Sequence, residues 1–226
     1  NGNTVTKNYA SINHYFMTIK DGGSLTLNDS GEGGALVATD SSYGYGIQLY
    51  SGATFIMNGG KIETHEESID VYTDANATVE INGGEVISTH DNVLGVRGGT
   101  TTINGGTLTA GGRTGVYIST YSNAAIQAND CYAVQVQENV TLNVSGNSSI
   151  TSTGRGTPAI TVEDEGTVNV SGGTVSSEQS AAIRTENQAV VSVSGGSLSG
   201  GGSKGVFEKY TSYDGPNTST ITVTGG

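Results

Sequence analysis

The residues that could do chemistry crowd into the first half of the chain: Tyr50, His65, Glu67, Asp70, Tyr72, His90, Asp91, Arg97 and Tyr117. Tyrosines mixed with Asp70 and Arg97 suit a sugar, whose apolar C–H faces stack on aromatic rings while its hydroxyls need polar partners. The plainer reading is a solvated sheet face that uses Tyr for its strand propensity, and polar exposed faces are the commoner case. His65 and His90, with Glu66, Glu67 and Asp91 beside them, offer the imidazole and carboxylate mixture that Zn, Mn or Ni takes. Glu63, Glu66, Glu67, Asp70 and Asp91 offer the several oxygens that calcium wants. Neither set has a fixed short spacing, and on turns such residues are more often simply solvated. No metal and no cofactor is expected. Acid–base work on a glycosidic bond needs two carboxylates at set separations. Asp70 with Glu67 or Asp91 could be placed in that role, but nothing in their spacing asks for it. Cys131 stands alone, which excludes a disulfide framework or a zinc motif, and it is expected to fill the interior.

For these side chains to share a face, the chain must bring residues one repeat apart to the same level. A repeat is present. Thr78-Val79-Glu80-Ile81-Asn82-Gly83-Gly84-Glu85-Val86 is one copy of T-x-x-[IV]-[NST]-G-G-x-[IVL]. Thr54-Phe55-Ile56-Met57-Asn58-Gly59-Gly60-Lys61-Ile62 precedes it, and Thr101-Thr102-Ile103-Asn104-Gly105-Gly106-Thr107-Leu108 follows. Later copies read Ser171-Gly172-Gly173, Ser194-Gly195-Gly196 and Thr224-Gly225-Gly226, with Val144-Ser145-Gly146-Asn147 as a variant. The glycine positions 59, 83, 105, 146, 172, 195 and 225 differ by 24, 22, 41, 26, 23 and 30. The gap of 41 is close to two periods, with Ala125-Ile126-Gln127-Ala128-Asn129-Asp130 where the missing copy should lie. A fixed period in this range predicts a solenoid.

Each repeat splits into three short strands, A, B and C. The first visible set is A at Phe16-Met17-Thr18-Ile19-Lys20, B at Ser24-Leu25-Thr26-Leu27-Asn28 and C at Ala35-Leu36-Val37-Ala38-Thr39. Alternate side chains on a strand face opposite ways, so the apolar member of each pair points into the coil. Stacked coils lie about 4.8 Å apart and pair in parallel. The outward A positions are expected to be Gln48, Asp70, Gly95, Tyr117, Gln135, Thr161, Arg184 and Phe207. The next outward row is Tyr50, Tyr72, Arg97, Ser119, Gln137, Glu163, Glu186 and Lys209. Asp70 and Arg97 should then lie about one strand spacing apart as an exposed pair. Between B and C the chain turns sharply, and Asn and Gly accept the left-handed backbone that other residues resist. The side chains of Asn58, Asn82 and Asn104 should stack as a hydrogen-bonded ladder.

This arrangement resembles the right-handed parallel β-helix of the pectate-lyase superfamily, in which a short turn between the second and third strands carries an asparagine ladder. Asn58, Asn82 and Asn104 match that ladder. The resemblance implies that any catalysis would lie on the outer face of the A sheet. The family's enzyme patterns are missing, however. Its calcium-dependent lyases stack several Asp there beside an Arg base, and this chain has Asp70 beside Arg97. Its glycoside hydrolases use paired Asp and Gly-His-Gly, and no Gly-His-Gly occurs here. The Gly-Gly-punctuated, Ser/Thr-rich form is also similar to repeat regions of large surface proteins of Gram-positive bacteria.

Composition narrows the partners. The formal net charge is −12, so no basic stripe exists to release phosphate counterions, and nucleic acid is not expected. An anionic membrane surface is disfavoured for the same reason, and no apolar run approaches a membrane span. With 36 Gly but 2 Pro, and with Thr, Val, Ile and Ser abundant, the bias is towards strands and turns. The sequence begins at Asn1 without Met and stops within a repeat, which reads as a piece of a longer protein. The expectation is an all-β, right-handed single-stranded parallel β-helix of about eight or nine coils in three parallel sheets, one domain over 1–226. Its expected role is a non-catalytic segment of a bacterial cell-surface protein, an adhesin or rigid spacer. It would be extracellular, attached through parts outside this sequence and monomeric, with a host or plant glycan or a surface protein as partner. The alternative is a polysaccharide-active lyase or glycoside hydrolase.

Overall fold

The computed structural model describes residues 3–6, 14–20, 22–29, 33–39, 44–72, 76–96, 100–111, 116–117, 120–122, 125–128, 133–136, 141–211 and 216–226. Among these the fold is all-β, without a helix: three sheets of nine strands each, paired in parallel. The A sheet runs from His14–Ile19 to Phe207–Lys209, and the B sheet from Ser24–Leu27 to Thr220–Val223. The C sheet runs from Thr4–Thr6 to Ser197–Ser199. Successive strands in the chain enter different sheets, and every third strand pairs with its predecessor one coil back. The molecule is a parallel β-solenoid.

Alternation sets the inside. Thr78–Ile81 reads exposed, buried, half-buried, buried, so Val79 and Ile81 point inward while Thr78 and Glu80 point out. The same rule sends Phe55, Met57, Ile103, Leu142 and Val168 inward from the B sheet, Ile47, Ile69, Leu94 and Ile160 from the A sheet, and Ile62, Val86, Leu108 and Ile150 from the C sheet. Together they form one apolar column. Each large side chain in it contributes roughly 1.5–3 kcal/mol relative to exposure, so the column rather than the surface carries stability.

The Gly-Gly step divides its work between the two glycines, and none of the three asparagines before it is left-handed. Only the second glycine is left-handed: Gly84 has φ +93°. The first is required by stacking, since a Cβ on Gly83 would sit 3.1 Å from the Asn58 carbonyl oxygen in the coil below. The ladder is present and one rung longer than the repeat suggests. Asn58, Asn82 and Asn104 donate their amides to Asn28, Asn58 and Asn82 at 2.7, 2.9 and 2.8 Å. Where Ser or Thr replaces Asn, the hydroxyl turns to the neighbouring strand instead: Ser171 to the Val144 carbonyl at 3.3 Å and Thr224 to that of Val193 at 3.4 Å.

Two local expectations need correction, and one strand is added. In the degenerate coil, Ala125–Ala128 is a C strand in register with Thr107–Ala110, and Thr120–Ser122 is the B strand. At the far end, Ile183 aligns with Phe207 and Arg184 with Glu208. Phe207 therefore follows the inward row, Glu208 is the outward neighbour of Arg184, and Tyr210 rather than Lys209 continues the row of Glu186. Thr4–Thr6, which the repeat pattern does not reveal, pairs with the C strand Ala35–Ala38.

Candidate functional site

On the A sheet, Gln48, Asp70 and Gly95 stand in register in consecutive coils. Asp70 is not on open surface: it is 2% exposed. Tyr15, from the strand His14–Ile19, reaches over it and donates its hydroxyl to Asp70 Oδ2 at 2.7 Å, and Gln48 Nε2 donates to the same oxygen at 3.0 Å. The Tyr15 ring packs on Tyr45, with centroids 5.1 Å apart. Glu67 is 4% exposed. Its carboxylate fills the place where a side chain on Gly95 would be, with Oε1 1.9 Å from that ideal Cβ. Because Gly95 is the register neighbour of Asp70, the Glu67 carboxylate takes the place in the row next to Asp70. The fold makes this pair by leaving one outward position of the row without a side chain.

The tyrosines form a column of their own. Tyr50 and Tyr72 follow the A strands Gly44–Leu49 and Ile69–Val71, and their rings stack at 5.0 Å and 21°. Lys20, at the equivalent place one coil earlier, sets its Nζ 5.0 Å from the Tyr50 centroid. Tyr50 thus has a cation on one face and a ring on the other, contacts worth about 0.5–1.5 kcal/mol each. Tyr72, 49% exposed, keeps its outer side towards solvent.

His65 and His90 pack with centroids 5.0 Å apart and planes tilted at 36°, and His65 Nδ1 lies 3.1 Å from Glu66 Oε1. Among the described residues no group of three His, Cys, Asp or Glu is arranged to hold a metal. Asp91 shapes its own turn: its Oδ1 accepts the Asn92 N–H at 2.8 Å, and its N–H is taken by Ser88 Oγ at 2.9 Å. Arg97, the Tyr117 side chain and Cys131 lie outside the described residues, and the expected pairing of Asp70 with Arg97 falls with them. The expectation of Asp70 as an exposed group is wrong, because Tyr15 covers it.

The register also assembles a charged group that the sequence reading misses. Arg184 Nε bonds Glu208 Oε2 at 3.0 Å, its Nη2 bonds the Gly156 carbonyl at 3.3 Å, and its guanidinium lies 5.2 Å from the Tyr210 centroid. Lys204 bonds the second oxygen of Glu208. Burial pushes the Glu208 carboxyl up, but the hydrogen bonds from Lys204 and Arg184 outweigh it and hold the group below the usual carboxylate range. Next to it, burial and then repulsion from Glu163 push Glu186 up. Glu163 itself accepts Gln135 Nε2 on both oxygens at 3.2 Å. The signal that could have found this group is the length of the segment 200–206 before Phe207, which sets the register.

Comparison with protein-family models, with curated proteins and with solved structures finds no match. No described helix is long and apolar enough to cross a membrane.

Proposed function

We propose that this chain is a rigid, non-catalytic β-solenoid segment of an extracellular surface protein, a spacer or an adhesin. The observation that carries this reading is the state of the A face. The groups best suited to chemistry are engaged with one another: Asp70 by Tyr15 and Gln48, Glu67 against Gly95, Tyr50 between Lys20 and Tyr72. A face whose polar groups are mutually bonded stiffens a rod, and a buried carboxylate cannot reach a polymer substrate. A pectate-lyase-like ancestry and attachment to a Gram-positive cell surface fit the Asn ladder and the Gly-Gly repeat, and both belong to the proposal. Contact with a glycan, if made, centres on the exposed side of Tyr72. The test is a glycan panel read by direct binding, with Tyr72→Ala beside the unchanged chain. Binding that Tyr72→Ala weakens supports the adhesin form, and binding unaffected by it rules out this face.

A second reading, a polysaccharide lyase or glycoside hydrolase, is favoured by one observation, the juxtaposition of Glu67 and Asp70. It requires Tyr15 to swing away from Asp70 when substrate arrives.

A further inference from the structure

We infer that Asn104 is a site of spontaneous deamidation, and that the amide ladder restrains the same reaction at Asn58 and Asn82. The solenoid creates the hazard. After the three rungs that have a coil below them the residue is glycine, and a Cβ there would press on that coil: 3.2 Å from the Asp29 carbonyl oxygen at Gly59, 3.1 Å from that of Asn58 at Gly83, and 2.8 Å from that of Asn82 at Gly105. At these three rungs the sequence therefore reads Asn-Gly. In that dipeptide the glycine backbone nitrogen, having lost its proton to hydroxide, meets no side chain on its way to the Asn carbonyl carbon. It attacks Cγ, the Cγ–Nδ2 bond breaks and ammonia leaves. Water then opens the cyclic imide at either carbonyl, giving aspartate or isoaspartate. All three asparagines are exposed, so water is at hand.

The reaction needs the side-chain amide to turn back towards its own backbone, and the ladder opposes that turn unequally. Asn58 and Asn82 each donate to the rung below and accept from the rung above, so two bonds must break. Asn104 donates to Asn82 and stands at the end of the amide row among the described residues. The register places Ser122 on the next rung, and serine has no amide to offer. Among the described residues one bond holds the Asn104 amide. The Gly105 N–H makes one long bond, 3.3 Å to the Ile81 carbonyl, which already takes the Asn104 N–H at 2.7 Å, so the difference between the three sites lies in the side-chain amide. One neutral hydrogen bond fewer corresponds to about fivefold in the population of the reactive rotamer.

Incubation of the folded chain in mildly alkaline buffer, followed by peptide mapping with mass spectrometry and isoaspartate detection, tests this. Asn104 is expected to deamidate about fivefold faster than Asn58 or Asn82, while in denaturant the three rates converge. Asn58→Ser removes the acceptor of Asn82 and should speed Asn82 about fivefold. Later coils carry serine at the same rung, so this variant suits the fold. Ser122→Asn lengthens the row and should slow Asn104 to the rate of Asn82. Equal rates at the three sites in the folded chain, or an Asn82 rate that Asn58→Ser leaves unchanged, would overturn the inference.

Discussion

Replacing Asp70 by Ala separates an anchored face from a reactive one. The substitution removes an acceptor that takes the Tyr15 hydroxyl at 2.7 Å and the Gln48 amide at 3.0 Å, in a place 2% exposed to solvent. Both donors are then left without their partner. A buried donor deprived of its acceptor costs about 1–3 kcal/mol, so the loss should be about 2–6 kcal/mol. Asp70→Asn keeps one acceptor oxygen and should lose about half as much. The assay is denaturant unfolding followed by circular dichroism, with Tyr15→Phe as the partner in a double-mutant cycle. Coupling between the two sites is expected, since Tyr15→Phe removes the same bond from its other end. The reasoning fails if Asp70→Ala costs less than about 0.5 kcal/mol, the ordinary range for a surface change. It also fails if the variant is more stable, as can happen when a residue held for reactivity is removed.

Other outcomes follow from the same geometry. Gly84→Ala should destabilise more than Gly83→Ala, because Gly84 has φ +93° and its Cβ would lie 2.6 Å from the Gly60 carbonyl oxygen, against 3.1 Å to a carbonyl at Gly83; melting temperatures of the two variants decide it. Asn82→Ala breaks two ladder bonds and Asn104→Ala one, so their unfolding free energies should fall by about 2 and about 1 kcal/mol. Glu186 binds its proton more tightly folded than unfolded, so its share of stability is present below the unfolded carboxylate pKa and is lost as pH rises through the folded value. Glu186→Gln should therefore raise the melting temperature at neutral pH and have no such effect in strong acid. Glu208 has the opposite sign: its contribution is present at neutral pH and lost as pH falls through its lowered folded pKa. Glu208→Gln should lower the melting temperature at neutral pH only.

The parts of this fold that were legible in the sequence are those written by local rules. Gly-Gly recurs because each coil must both reverse and clear the coil below, so the period and the row of Asn58, Asn82 and Asn104 could be read directly. Asn28 escaped because Asp29 follows it; among the described residues no B strand lies beneath Ser24–Leu27, so stacking does not demand glycine there. The burial of Asp70 was not legible. It depends on Tyr15, 55 residues earlier, in a stretch whose apolar pattern is too short to place. The Glu67 position was hidden for a related reason: only the register shows that Gly95 leaves a gap beside Asp70. Register likewise decided the last coil, where a slip of one residue exchanged Phe207 for Glu208 and concealed the Arg184 network.

The central claim, that the A face is a bonded structural surface and not a catalytic one, is tested most directly by measuring polysaccharide turnover. The chain, together with Glu67→Gln and Asp70→Asn, is incubated with a panel of neutral and acidic polysaccharides, and the release of reducing ends and of unsaturated sugars is followed. No turnover above the buffer background is expected for any of the three proteins. Turnover by the unchanged chain that both variants abolish while remaining folded would contradict the claim and make Glu67 and Asp70 a catalytic pair.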